Sequence, residues 1–255
     1  MKPGLSQNFL FDPSILKRIV AASGIGPEDT VVEIGPGLGT LTGELCRRAG
    51  KVVAIEVDRR LYERMKAREA GFRNLTVELG DALRFPYGDL GEFRVVANIP
   101  YHITTPIIFR LLEEKGLRSM TLTIQKEVAQ RIAAGPGSKT YGVLSLMVQY
   151  RGRPELKFTI PRGAFRPVPK VDSACIHIDV HVRPPVAVRD EALLFRLVKA
   201  AFSQRRKTVA NGIKSVCGEG TLEALRRAGI EAGRRPETLS LEEFARLADA
   251  AFPLL

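Results

Sequence analysis

Apolar residues recur along this chain with two different periods. Short runs rich in Val, Ile and Leu at 30–34, 51–56, 74–79, 93–97 and 119–125 read as strands. Between them, stripes at helical spacing near 40–48, 58–69, 104–114 and 126–134 read as helices. Strands alternating with helices predict a parallel, doubly wound α/β sheet of Rossmann-like type, which binds ligands at the carboxyl ends of its strands. An earlier helix is signalled by Asp12 as N-cap, Pro13 at the first helical position, and the stripe Ile15, Leu16, Ile19 and Val20. Gln7-Asn8-Phe9-Leu10 precedes it, either as a lead-in or as a segment folded over a ligand.

Further on, Val143, Leu144, Leu146, Met147 and Tyr150 predict a helix within 142–150. Leu156, Phe158 and Ile160 alternate as a strand, and 173–182 predicts its antiparallel partner at the sheet edge. Arg183-Pro184-Pro185-Val186 reads as a linker, after which the pattern is helical only, near 190–202, 206–217, 221–228 and 240–251. Ser240 and Glu243 open the last of these with capping-box spacing. The expected organisation is a catalytic α/β domain over 1–183 and a small all-α domain over 184–255.

With 45% hydrophobic and 26% charged residues, the 255-residue chain has the make-up of an ordinary globular protein. Its formal charge of +11 is less ordinary and points to a polyanionic partner, nucleic acid before anionic membrane. Cys46, Cys175 and Cys217 are far apart and in no metal-ligand spacing, which suits reduced thiols. No apolar run serves as a signal peptide or spans a membrane, so a cytoplasmic location is expected.

The chemistry gathers around Val31-Val32-Glu33-Ile34-Gly35-Pro36-Gly37-Leu38-Gly39-Thr40, a strand, a glycine-rich turn and a helix start. Threonine at 40 replaces the third glycine of a dinucleotide fingerprint, and a carboxylate at Glu33 would repel a diphosphate. Both features count against a nicotinamide-linked dehydrogenase. Glu33 suits instead a ligand with an amine and a sulfonium, such as S-adenosylmethionine. Glu56 closes the second strand, 21 positions after Gly35, where an acid accepts hydrogen bonds from ribose hydroxyls. Asp81, with Ala82 beside it, follows the third strand and is placed either to take an adenine amine or to cap the next segment. The fourth strand ends in Asn98-Ile99-Pro100-Tyr101. The Asn98 side-chain oxygen and the Ile99 or Pro100 carbonyl would accept hydrogen bonds from an exocyclic amine, Pro100 would fix the backbone, and Tyr101 would stack on a flipped base.

These segments resemble the small-subunit ribosomal RNA adenine dimethyltransferases of kasugamycin-sensitivity type. Two later stretches carry the likeness further: Phe165-Arg166-Pro167-Val168-Pro169-Lys170-Val171-Asp172-Ser173-Ala174 and Phe202-Ser203-Gln204-Arg205-Arg206-Lys207-Thr208-Val209-Ala210-Asn211. The resemblance implies dimethylation of two adjacent adenosines near the 3′ end of 16S rRNA, within the 30S subunit or its precursor, by a monomer. It also implies that Asn8 and Leu10 close over S-adenosylmethionine, that Gly35, Gly37, Glu56 and Asp81 hold it, and that Phe165 faces Tyr101 across the adenine. Asn98 would contact both methyl donor and target amine. The sequence departs from the pattern at His102, where members often carry asparagine, and His102 receives no role. Two other readings share some of these features: a 23S rRNA adenine methyltransferase of the macrolide-resistance type, and a ribosome-assembly or transcription factor that retains the fold.

Six lysines or arginines fall between Arg151 and Lys170 against one acid, Glu155, and Arg205-Arg206-Lys207 forms a second cluster. Both fit a groove that tracks phosphates. Cys175, His177, Asp179 and His181 share one strand face and mimic a metal site. Side chains two apart on a strand lie roughly 6–7 Å apart, so the set reads as the wetter face of a half-buried strand, and no metal is expected. Gly135-Pro136-Gly137-Ser138-Lys139-Thr140 lacks the glycine and the preceding strand of a P-loop and reads as a loop.

Overall fold

The computed structural model describes residues 8–204 and 207–254. In chain order its elements are β1 (Phe9–Leu10), α1 (Pro13–Ser23), β2 (Thr30–Ile34), α2 (Thr40–Cys46), β3 (Lys51–Glu56), α3 (Arg59–Glu69), β4 (Leu75–Leu79) and β5 (Phe93–Asn98). Then follow α4 (Thr104–Leu112), β6 (Leu117–Gln125), α5 (Lys126–Ala133), α6 (Val143–Arg151), β7 (Gly152–Ile160), β8 (Phe165–Arg166) and β9 (Ser173–Val180). The chain ends in α7 (Glu191–Ser203), α8 (Val209–Cys217), α9 (Thr221–Ala228) and α10 (Leu241–Ala251).

Helix starts follow the local chemistry. The Asp12 carboxylate accepts from the Ser14 and Ile15 N–H groups at 2.9 and 3.4 Å, Pro13 needs no donor, and Gly24 ends α1 in the left-handed region. Ser240 and Glu243 form the reciprocal capping box of α10.

Seven strands form one sheet in the order β4-β3-β2-β5-β6-β9-β7. The pairs β3–β4, β2–β3, β2–β5 and β5–β6 are parallel, and β9 runs antiparallel to β6. The order reverses between β2 and β5. That switch point leaves a crevice at the carboxyl ends of both strands. Of the two edge strands, β4 and β7, the second tolerates Pro154 because one side of an edge strand needs no ladder donors. Thus β9 lies inside the sheet, and the expectation of a wetter face on it holds at half-exposed Asp179 but not at Cys175, which packs in the cluster that contains Ile19 of α1. Cys175 is fully buried and His177 nearly so. The His177 ring binds the Thr121 hydroxyl at 2.7 Å and the Asp179 carboxylate at 3.0 Å. Outside the main sheet, β1 and β8 form a two-stranded antiparallel pair, with Phe9 opposite Arg166 and Leu10 opposite Phe165.

The chain divides into two compact units, Met1–Ala129 with Pro154–Val180, and Gln130–Arg153 with His181–Leu255. A single boundary at Arg183 misses the excursion over 130–153. That segment joins the helical unit through the packing of α6 and the pairing of Arg151, and polar side chains brace its own connection. Gln149 donates to the Ile132 and Ala134 carbonyls at 2.9 and 2.8 Å, Ser145 to that of Arg131, and Arg151 pairs with Glu191. Leu146 and Tyr150 of α6 join Leu194, Leu197, Ile213 and Phe244 in the core of this unit.

The closest approach in that core sets a test. A Cβ on Gly212 of α8 would stand 2.7 Å from the Ala201 Cα and 2.9 Å from its carbonyl oxygen. Backbone of a neighbouring helix cannot yield as a flexible side chain does. Alanine would gain about 1 kcal/mol in helix propensity, but overpacking costs about 1–3 kcal/mol. Gly212→Ala is therefore expected to lower the urea midpoint, and an unchanged or raised midpoint would refute the tight crossing.

Candidate active site

A cavity of about 250 Å³ opens at the carboxyl ends of β2, β3, β4 and β5. Its walls include Asn8, Phe9, Gly35, Gly37, Glu56, Asp81, Ala82, Asn98, Pro100 and Tyr101. The glycine turn shapes one side. Gly35, Gly37 and Gly39 have φ of 67°, 56° and 75°, a region that L side chains rarely occupy. Gly37 is bound twice over, because a Cβ there would stand 2.7 Å from the Phe9 ring.

Glu56 is buried, and its carboxylate is oriented by main-chain donors, Gly37 N–H at 3.2 Å and Asp58 N–H at 2.9 Å. Burial raises its pKa above the usual carboxylate value, against the lowering effect of these bonds. Each carboxylate oxygen has two lone pairs, so acceptor capacity remains for ligand hydroxyls. Asp81 caps the segment that follows it and also stands at the cavity. One oxygen accepts the Leu83 N–H at 2.9 Å, while the residue lies on the cavity wall with acceptor capacity to spare.

Asn98 is held from outside its own strand. Its Nδ2 donates to the Asn8 carbonyl at 2.9 Å, which leaves Oδ1 as the acceptor end of the amide. The segment that supplies this carbonyl is fastened three ways: by the β1–β8 pairing, by the Thr40 hydroxyl donating to the Leu10 carbonyl at 3.0 Å, and by Phe9 against Gly37. Tyr101 follows Pro100 in a short 3-10 turn, and its hydroxyl meets Ser173 Oγ at 2.7 Å.

Three residues expected to touch ligand do not line the cavity. Leu10 and Phe165 are buried partners in the β1–β8 pair, with both side chains in the apolar cluster that contains Ile19, Val96 and Cys175. Alternation along β1 sends Leu10 inward while Phe9 keeps to the cavity. Their part is to anchor the segment that carries Asn8. Glu33 is likewise 1% exposed and lies below the turn, where Thr42 is the polar group nearest in effect and Glu56 adds repulsion. Its Oε2 has no hydrogen-bond partner among the described residues. Other wall residues were given no ligand contact by their side chains: Ile34, Ile55, Val57, Leu83, His102 and Ile103. Val57 was the most findable. It is an apolar side chain, 57% exposed, directly after the strand-closing acid.

The donor set suits S-adenosylmethionine. Buried carboxylate capacity at Glu56, a second acid at Asp81, apolar side chains between them, and a turn that no Cβ could share match the ribose, amine and ring of an adenosine.

Desolvation pushes the Glu33 pKa up from 4.5 to about 8. Between those values the folded chain holds a proton that the unfolded chain has lost. Unfolding free energy contributed by this site therefore falls as pH rises through that window, by at most about 1.4 kcal/mol per pH unit. Glu33→Gln, which mimics the protonated acid, should stabilise the protein at pH 8.5 and change little at pH 4.5. Equal effects at both values in denaturant titrations would show that Glu33 ionises normally.

Comparison with known proteins agrees with this geometry. Residues 1–251 match the family described as Ribosomal RNA adenine dimethylase. A ribosomal RNA small subunit methyltransferase A from Moorella thermoacetica is 46% identical, over 94% of this chain and 89% of that one. Among solved structures, a dimethyladenosine transferase from Plasmodium falciparum superposes with a TM-score of 0.83 at 29% identity, covering 94% of this chain and 95% of that one. The 23S rRNA methyltransferase ErmE gives 0.76 at 28% identity, covering 96% and 100%. With its switch-point crevice, its strand-end acids and a match along nearly its whole length, the chain belongs to the ribosomal RNA adenine dimethylase family.

Proposed function

We propose that this protein uses S-adenosylmethionine to dimethylate the exocyclic amines of two adjacent adenosines near the 3′ end of 16S rRNA, acting as a cytoplasmic monomer on the 30S subunit or its precursor. The observation that carries the reading is the sharing of one cavity by Glu56, an acid suited to ribose, and the Asn98-Ile99-Pro100-Tyr101 turn, suited to a planar amine. Identity to a small-subunit enzyme is higher than to ErmE, which favours the small over the large ribosomal subunit.

When bound, S-adenosylmethionine supplies an electrophilic methyl group on its sulfonium. The chain's own residues do the rest. Glu56 accepts the ribose hydroxyls and Asp81 the adenine amine of the cofactor. An adenine amine is a poor nucleophile because its lone pair is delocalised into the ring. Asn98 Oδ1 accepts one of its N–H bonds and a main-chain carbonyl accepts the other, which localises the lone pair for attack. The Pro100 carbonyl already takes the Ile103 N–H at 3.1 Å, so the Ile99 carbonyl is the better second acceptor. Tyr101 stacks on the extruded base. Incubation with labelled cofactor and unmethylated 30S or 50S particles, followed by mapping of the modified nucleotides, tests the assignment. Label in 50S particles alone would reverse it.

Glu56→Ala should weaken cofactor binding by about 1.5–3 kcal/mol, the range for hydrogen bonds to charged groups. Calorimetry showing parental affinity in a folded variant would remove Glu56 from the ribose site.

RNA contact is assigned to the basic clusters. Arg205 and Arg206 lie outside the described residues, while Lys207 is exposed beside them. Glu223, an acid that follows in the chain, is already paired with Arg226 and Arg227 at 2.7 and 2.6 Å. Neutralising Arg205, Arg206 and Lys207 together should lower the slope of log affinity for 30S particles against log salt by about 2, at roughly 0.7 per phosphate contact on single strands. Loss of melting temperature with an unchanged slope would make the cluster a structural one.

A further inference from the structure

Tyr101 is half-buried, and only one end of its ring is fixed by the main chain. Pro100 and the 3-10 turn set the Cα, but a tyrosine retains two side-chain torsions, and a stacking platform is useful only if its plane is held. The second constraint comes from far along the chain. Ser173 Oγ meets the Tyr101 hydroxyl at 2.7 Å.

Ser173 is well placed to act as a fixed post. It is fully buried and opens β9, opposite Gln125 at the end of β6. The residue before it is pinned twice. The Asp172 carbonyl accepts the Lys126 N–H and its carboxylate accepts the Arg162 N–H, both at 3.0 Å. A buried hydroxyl without a partner is costly, so the bond matters to both residues. Burial raises the Tyr101 pKa above its ordinary value, against the lowering effect of the Ser173 hydrogen bond, so the phenol is protonated at neutral pH as any tyrosine is and can share that bond.

We propose that Ser173 is a positioning residue for methyl transfer: by tethering the Tyr101 hydroxyl it sets the plane of the ring on which the target base stacks. Ser173 also terminates the basic, proline-rich stretch Phe165–Asp172. The tether therefore joins the end of that stretch directly to the Tyr101 ring. This inference rests on the proposed role of Tyr101 in base stacking.

The test compares Ser173→Ala, Tyr101→Phe and the double variant on unmethylated 30S particles, with Tyr101→Ala as reference. Each single change removes the same hydrogen bond from one end. Each should lower kcat about tenfold, the worth of one such bond, without altering cofactor affinity by calorimetry. The double variant should be no slower than either single one. In protein labelled with 3-fluorotyrosine, the 19F resonance that Tyr101→Phe deletes should move and sharpen in Ser173→Ala as the ring is freed. Additive losses in the double variant, or an unmoved resonance, would overturn the tether. If Tyr101→Ala itself methylates at the parental rate, the stacking role fails instead. If Tyr101→Ala is crippled while both single hydroxyl variants are not, stacking stands and the tether alone falls. Should Ser173→Ala fold poorly, Tyr101→Phe reads the same bond from its other end.

Discussion

The contact between the Phe9 ring and Gly37 is the constraint on which the site depends. With no Cβ at 37, the ring lies against the turn, and the segment that carries it crosses the mouth of the crevice. The same glycine gives its N–H to Glu56, so one position orients the buried cavity acid and seats the strap above it. From that strap the Asn8 carbonyl reaches Asn98. Any side chain at 37 would meet a ring and a strained φ at once, and three polar groups would lose their common reference point.

The site shows a division between the side chains that line the cavity and those that hold them. Asn98 and Tyr101 belong to one short turn, yet each is held by a segment distant in sequence, Asn98 by Asn8 and Tyr101 by Ser173. In the antiparallel β1–β8 pair the chain before Phe9, which carries Asn8, and the chain after Arg166, which leads to Ser173, leave from the same end. Rigidity at the turn is thus built from main-chain pairing well away from it, which is how a preorganised site avoids reordering its groups during reaction.

Much of this was legible from residue order. Period-2 and period-3.6 patterning placed the strands and helices of the sheet, Asp12 and Ser240 marked helix starts, and the acids at strand ends converged as doubly wound topology requires. What could not be read was orientation. The stretches around Leu10, Glu33 and Phe165 mark the neighbourhood of a site without saying which side chains face it. That depends on the parity of a two-residue strand and on which layer covers β2. The excursion at 130–153 was hidden for a related reason, since nothing local distinguishes a helix packed on a sheet from one whose Leu146 and Tyr150 pack into a helical core. Likewise, β9 looked half-wet because its alternation is real, but the face that carries Cys175 packs in the cluster with Ile19 of α1 and reaches solvent only towards Asp179.

The β1–β8 pair also dictates when in the life of a chain the site can exist. Phe9 opposes Arg166, a separation of 166 − 9 = 157 residues, in a ladder only two residues long on each side. Such a contact closes a very long loop for little local gain, so it follows the parallel strands, whose neighbours are nearer in sequence. During synthesis from the amino end, β2 to β5 can be laid down while Phe9 and Leu10 still have no partner. A growing chain would hold its glycine turn and strand-end acids ready, yet Asn98 would lack its fixed carbonyl until residue 166 emerged. Catalytic competence would then arrive late and abruptly, with the closing of a strap whose two halves are made at opposite ends of the domain.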